Sequence, residues 1–366
     1  MKKFLALVLA LVMSLSLVAC GSEESTDEGA AAASELNVGV FYYNYSDAYI
    51  TTVRNAMDAL LEEAGITYNN YDGAGNQATQ LDQINTAISN GTNLLVVNIV
   101  ETSSPDAAQQ ACDAAKNAGI PIVFFNREVE NSVVDSYENC AFVGTDAAEA
   151  GHMQGEMIGD YLLENYDAVD LNGDGTISYV LFKGQEGNKE AEYRTQYSVE
   201  DADAILTEAG KPALSFYDAN NTSKYLVDTT GNWSSQAATD YMNTVLAAYS
   251  EASGNMVELV IANNDGMAEG AIAALQAAGY NTGEEGSTTI PGVYAMDSAV
   301  QKIENGQMTG TVKQDAEGMA STIMTLVNNI NTGAALMDNT SDFVVDSDCA
   351  KIRVPYAMVT SEEAAA

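Results

Sequence analysis

An amide, a carboxylate and a guanidinium follow one another at Asn188, Glu190 and Arg194. They lie in the stretch Gly184-Gln-Glu-Gly-Asn-Lys-Glu-Ala-Glu-Tyr-Arg, which follows the strand-like run Ile177-Ser-Tyr-Val-Leu-Phe and opens a helical segment. Spaced four apart on a helix, Glu190 and Arg194 share one face. The three groups together offer acceptors and donors to a polyhydroxylated molecule. A strand that runs through a Gly-containing loop into a helix is where open α/β sheets bind ligands. These residues point to a sugar site.

A second constellation suggests a metal. Asp170-Leu-Asn172-Gly-Asp174-Gly175-Thr176-Ile-Ser178 has the order of the first nine residues of an EF-hand loop, with oxygen ligands suited to Ca²⁺. The bidentate glutamate of an EF-hand would fall on Leu181, inside the strand-like run. An isolated EF-hand is thereby refused. Either a distant carboxylate completes the shell, or the segment is an acidic turn.

The elements that must position these groups alternate strand, loop and helix from Leu36 onward. Val38-Gly-Val-Phe-Tyr-Tyr reads as a strand, and Ile50, Val53, Met57, Leu60 and Leu61 recur at helical spacing until Gly65. Ile66-Thr-Tyr, Leu94-Leu-Val-Val-Asn-Ile and Pro121-Ile-Val-Phe-Phe-Asn follow as strands. The last two are nearly continuous apolar runs, as expected of a parallel sheet buried on both faces. A fresh series begins near Asp146, with strands at 177–182, 213–217, 257–262 and 292–296. The fold class is α/β, with two doubly wound, Rossmann-like lobes and a cleft between them. Polar residues recur where strands give way to loops: Asp47 and Tyr49, Asn126, Asn264-Asp265, Asp297 and Gln314-Asp315. Each alone suits a helix N-cap. Their recurrence at strand ends in both lobes favours a shared cleft. Trp233, the single tryptophan, sits in the polar setting Asn232-Trp-Ser-Ser, which suits a cleft better than a core.

Composition narrows the classes. A formal charge of −38 argues against nucleic acid, whose phosphates it would repel, and reads as a solvated surface. A hydrophobic share of 46 % over 366 residues allows two lobes with buried cores. Lys2 and Lys3 precede an apolar run from Phe4 to Val18, too short for a normal bilayer span, which ends in Leu17-Val-Ala-Cys20-Gly21. That ending resembles a bacterial lipobox, with Cys20 the lipidated residue. The competing reading is an ordinary signal peptide with Cys20 as bystander. Residues 1–20 are thus expected to be a leader and 21–35 a flexible tether, which puts the protein outside the cytoplasm on a lipid anchor. Cys112, Cys140 and Cys349 form no zinc pattern and lie in apolar contexts, so buried small hydrophobes are expected.

From about Leu36 to Val359 the chain resembles the galactose/glucose-binding proteins of bacterial ABC sugar uptake and chemotaxis. The resemblance rests on ordered blocks: Val-Phe-Phe-Asn-Arg-Glu (123–128), Val-Gly-Thr-Asp (143–146), Asp-Leu-Asn-Gly-Asp-Gly (170–175), Val-Ile-Ala-Asn-Asn-Asp (260–265) and Arg-Val-Pro-Tyr (353–356). It implies a type I periplasmic-binding-protein fold with three crossovers between the lobes. One lobe would be residues 36–145 plus 315–353, the other 146–314 plus 354–366. It assigns Glu258 as the distant calcium ligand beside Asp170, Asn172, Asp174 and the Thr176 carbonyl, with Ser178 where the family has a longer glutamine. It carries sugar contacts onto Asp47, Asn126, Arg194, Asn264 and Asp297, with Trp233 stacking and Tyr49 in place of the opposing phenylalanine. Asn188, Glu190 and Gln314 depart from the family's His, Asp and Asn. A hexose is still expected, not necessarily glucose or galactose. The implied partners are a monosaccharide, an ABC permease and a chemoreceptor, with the chain itself a monomer.

An enzyme acting on sugars is the opposing class, because Glu190 and Asp297 could serve as a glycosidase pair. Arg194 beside Glu190 keeps that carboxylate ionised, the wrong state for a general acid. His152, the lone histidine, falls outside the implied site, and no Gly-x-Ser-x-Gly or Walker sequence is present. A receptor is expected, not an enzyme. A sensor for a different sugar or signal molecule is compatible with the same fold.

Overall fold

The apolar runs assemble into two seven-stranded sheets. A computed structural model of the chain describes residues 35–283, 288, 292–294, 303, 305 and 309–360. Residues 1–34, which hold the expected leader, Cys20 and most of the expected tether, and Asp297 lie outside the described residues.

The first sheet takes β1 (Asn37–Tyr42), β2 (Thr67–Asp72), β3 (Leu94–Val97), β4 (Ile122–Phe125), β5 (Cys140–Gly144), β12 (Val344–Val345) and β13 (Lys351–Arg353). Their spatial order is β12-β13-β5-β4-β3-β1-β2, and all pairs are parallel except β12 with β13. Around it lie α1 (Ala48–Glu63), α2 (Gln77–Ser89), α3 (Asp106–Ala118), the short α4 (Asn131–Val134) and α9 (Ala316–Asn331). The second sheet takes β6 (Ser178–Lys183), β7 (Ser215–Phe216), β8 (Leu226–Val227), β9 (Leu259–Ala262), β10 (Gly292–Tyr294), β11 (Gly310–Gln314) and β14 (Tyr356–Thr360). Its order is β14-β11-β10-β9-β6-β7, with β8 also paired to β6 and only β14 antiparallel. Its helices are α5 (Ala147–Val169), α6 (Lys189–Glu208), α7 (Ser235–Ala248) and α8 (Asp265–Ala277).

Both sheets are buried on two faces, because β3, β4 and β9 are apolar along their whole length and helices cover each side. The strand expected at Ile66–Tyr68 instead runs Thr67–Asp72 and is polar and part-exposed. It lies at the edge of the sheet, where alternate faces meet solvent. Helix α5 lies close against α6 through Gly151 and Gly155, where a Cβ would come within 2.5 Å of the Tyr193 and Tyr197 carbonyls. That contact fixes the helix that carries Glu190 and Arg194.

The chain passes between the sheets three times: from β5 into α5, from β11 into α9, and from β13 into β14. Cys112, Cys140 and Cys349 are buried and unpaired in the core of the first sheet. Among the described residues, no helix is long and apolar enough to cross a membrane.

Candidate functional site

In both sheets the central strands run in the doubly wound order: β2-β1-β3 in the first and β7-β6-β9 in the second. Strand order reverses between β1 and β3 and between β6 and β9, and such crevices bind ligands beyond the strands' carboxyl ends. A cleft of ≈ 380 Å³ opens there. Asp47, Tyr49, Asn126, Asn188, Glu190, Arg194, Trp233, Asn264 and Gln314 all line it.

The N-cap reading and the cleft reading turn out to be compatible. Asp47 caps α1 by accepting from the Ile50 N–H (2.8 Å), and its other oxygen accepts from the Tyr43 hydroxyl (2.6 Å). Asn188 caps α6 through Ala191 N–H (3.2 Å), and Asn264 caps α8 through Met267 N–H (2.9 Å). Ser234, which caps α7 through Ala237 N–H, also lines the cleft, so four helix N-termini meet it, and their dipoles favour electron-rich oxygens there. Asp265 begins α8 and Asp315 caps α9 by accepting from Gly318 N–H.

Two cleft residues hold left-handed backbone, Asn126 at φ 61° and Trp233 at φ 55°. Non-glycine residues rarely adopt it, and it concentrates at functional sites. Behind Trp233, the indole packs so tightly on Gly184 that an added Cβ would sit 2.1 Å from Cδ2. Gly184 is required for that close approach.

Arg194 donates to the Asn263 carbonyl (2.8 Å), Glu190 Oε2 (2.7 Å) and the Tyr356 hydroxyl (2.7 Å), and its buried Nε has no partner in the protein. Burial pulls its pKa down, but Tyr356 and Glu190 more than offset this and raise it. Arg127 donates to the Val100 carbonyl (3.0 Å) and to Gln185, lies over the Tyr43 ring, and likewise keeps an unpartnered buried Nε. Burial lowers its pKa. Glu190 lines the cleft with its carboxylate already engaged. Instead of presenting a free carboxylate, it accepts from Thr145 (2.8 Å), Tyr356 (2.8 Å) and Arg194. Its extra methylene, relative to aspartate, lets it reach these groups.

Residues that follow strands of one sheet bind residues that follow strands of the other. Asn44 donates to Asn232 (3.0 Å), Arg127 to Gln185 and Asn188 to Thr102 (3.4 Å), and Lys189 pairs with Glu130 (3.1 Å). The cleft is thus bridged from both sides. Tyr43, Arg127 and Asn232 line it as well. Arg127 and Asn232 adjoin residues singled out in the sequence, and Tyr43 lies four positions before Asp47, so proximity was the only signal for them. Thr145 and Tyr356, which stand behind Glu190, fall within two of the blocks that carry the resemblance, but nothing in the sequence marked them as partners of Glu190. His152 lies outside the cleft lining, exposed, stacked on Tyr197 and bonded to Asp201 (2.6 Å).

The acidic loop closes on itself around Asp170, whose carboxylate accepts from the N–H groups of Gly173, Asp174 and Gly175. Asp174 accepts from Thr176 N–H and from the Asn172 amide. Glu258 has no solvent exposure, and its two oxygens accept from Leu171, Asn172 and Ser178 N–H groups at opposite ends of the loop. The Ser178 hydroxyl approaches Glu258 at 2.9 Å. Among the described residues, no three Asp, Glu, His or Cys side chains are gathered to hold a metal unaided. The donor set fits a hard cation only with the Asn172 amide and backbone carbonyls included.

The profile of the periplasmic binding protein domain matches residues 38–335. The D-galactose/methyl-galactoside binding periplasmic protein of Haemophilus influenzae is 33 % identical over 334 residues, covering 91 % of this chain and 92 % of its own. An ABC transporter solute-binding protein from Clostridium phytofermentans, solved with β-D-glucose, superposes with a TM-score of 0.69 at 20 % identity, covering 89 % of this chain and 94 % of that one. Another from Bacillus halodurans, solved with myo-inositol, gives a TM-score of 0.67 at 24 % identity over 90 % of this chain and 96 % of that one. The fold is the type I periplasmic-binding-protein fold. With two doubly wound sheets, three crossings and a polar cleft at both switch points, the chain belongs to the periplasmic binding protein family.

Proposed function

We propose that the protein captures a hexose of the galactose/glucose kind in this cleft and delivers it, as a closed complex, to an ABC importer. It is an extracytoplasmic solute-binding component of sugar import, not an enzyme. One observation carries the hexose reading: Trp233 and Tyr49 line the same ≈ 380 Å³ cleft as Asp47, Asn126, Arg127, Arg194 and Asn264. A pyranose has apolar C–H faces and a rim of hydroxyls, which suits aromatic rings beside charged and amide groups. The volume falls within the range of small-molecule sites, about 300–1,000 Å³. The match to the Haemophilus influenzae galactose binder along nearly the whole of both chains supports the same reading.

The engagement of Glu190 with protein groups favours a second ligand class, another polyol or sugar, of which myo-inositol is an example bound by a structural neighbour. Titration calorimetry across hexoses, pentoses, disaccharides and myo-inositol decides between them. Saturable binding of D-galactose or D-glucose, tighter than that of the other classes, is expected. Heat released only by a pentose or inositol would replace the hexose, and no heat from any monosaccharide would overturn the reading.

The proposal includes a structural Ca²⁺ held by Asp170, Asn172, Asp174, the Thr176 carbonyl and Glu258. Its support is the buried Glu258 carboxylate that brackets a loop of EF-hand order. Anchoring through a lipid on Cys20 and coupling to a chemoreceptor complete it. The basic start, apolar run and Leu-Val-Ala-Cys sequence support the anchor.

A further inference from the structure

Apart from Arg194 on its own helix, the polar groups around Glu190 belong to segments that join the two sheets. Thr145 lies in the crossing from β5 to α5, and Gln314 ends β11 at the crossing into α9. Tyr356 opens β14 just after the crossing from β13. Thr145 O–H donates to Glu190 Oε1 (2.8 Å), and the single Tyr356 O–H is shared between two acceptors at 2.8 Å, Glu190 Oε2 and Thr145 Oγ1. Arg194 donates to Oε2 and to the Tyr356 oxygen, and the Gln314 amide donates to the Thr145 oxygen (3.3 Å). The third crossing is also tied to the first at two backbone carbonyls, because Val354 N–H donates to the Gly144 carbonyl (2.7 Å) and the Arg353 guanidinium to the Thr145 carbonyl (2.8 Å). Thr145, Glu190 and Tyr356 are buried, at 0 %, 5 % and 6 % exposure. Neither Thr145 nor Tyr356 lines the cleft. Burial raises the Tyr356 pKa, so its hydroxyl stays protonated and able to donate.

We propose that Glu190 is a positioning residue that clasps the three crossings to the N-terminal turn of α6, so that it sets how readily the lobes close instead of reading a sugar hydroxyl. Opening two lobes requires the backbone to turn at the crossings. A carboxylate that holds Thr145 and Tyr356 in one arrangement favours that arrangement over others. Specificity then falls on Arg194, Asp47, Asn126 and Asn264. The clasp acts on every ligand alike, because a shift in the population of the binding-competent form scales all affinities by one factor. An aspartate, one methylene shorter, would not span from α6 to both hydroxyls.

The inference rests on reading this cleft as the ligand site. Its test is Glu190→Asp, Tyr356→Phe and Thr145→Val in the full chain, with Thr145→Ser as the conservative control. Interlobe distance is measured without ligand by fluorescence transfer between labels on exposed positions of the two lobes, and affinities are measured for a series of sugars and their deoxy analogues. Each of the three variants should shift the ligand-free distance distribution and weaken all bound sugars by the same factor, roughly tenfold. Thr145→Ser should behave as the wild type. Loss confined to one epimer or one deoxy sugar, with the ligand-free distances unchanged, would overturn the clasp and make Glu190 a direct contact. If no sugar binds at all, the sugar reading fails, yet the ligand-free distances still decide the clasp.

Discussion

One methylene separates Glu190 from the aspartate that the resemblance implies at its place, and it decides which oxygen the carboxylate reaches. At 2.8 Å from both Thr145 and Tyr356, Glu190 is already supplied with donors. Under the proposed clasp, recognition of hydroxyls would pass to neighbours whose polar atoms are not satisfied, notably the buried Nε atoms of Arg127 and Arg194. Such atoms are costly to leave unpaired, about 1–3 kcal/mol each, and a ligand hydroxyl restores the bond. Gly184 makes the sharpest prediction at this scale. Alanine there would place a Cβ 2.1 Å from the Trp233 ring, so the indole must leave its seat. Gly184→Ala should weaken sugar binding at least thirtyfold, roughly 2 kcal/mol, while melting within a few degrees of the wild type. Unchanged affinity would show that Trp233 makes no contact that matters.

At the scale of elements, the site is built from strand ends and helix caps, and these were largely legible. Apolar runs located β1, β3, β4, β6 and β9, and polar residues just beyond them proved to cap α1, α6 and α8 while facing the cleft. The polar strand β2 was cut short because an edge strand lacks the apolar run that betrays a buried one. Thr145 and Tyr356 were not legible as partners of Glu190. They lie 45 and 166 residues from it, and no local pattern encodes a contact made only when three crossings converge. The acidic loop was legible as a loop, and its distant Glu258 came only from the resemblance. That buried carboxylate supports the calcium proposal and gives a second prediction. A chelator should lower the melting temperature by several degrees, and excess Ca²⁺ should restore it, since a ligand at a hundred times its Kd adds about 2.7 kcal/mol. Glu258→Gln should abolish the response. Identical melts with chelator and with Ca²⁺ would remove the metal from the account.

For the whole molecule, the two sheets share one winding order, and the reversal points of both border the same space. Neither sheet alone supplies an enclosed polar site. Asp47, Asn126 and Arg127 follow strands of the first, while Arg194, Trp233 and Asn264 come from the second. Bridges such as Asn44–Asn232 and Lys189–Glu130 hold the two together around the cleft. The −38 charge leaves a neutral, hydroxylated solute a more fitting ligand than a polyanion. Trp233 is the single tryptophan of the chain and lines this space, so its emission reports the cleft without labels. The most direct test is to titrate the full chain with D-galactose and D-glucose while recording that emission, with an amino acid such as leucine as the comparison solute. The account predicts a saturable change with at least one of the hexoses and none with leucine. Emission that stays flat with every monosaccharide, or that saturates with leucine alone, would contradict it.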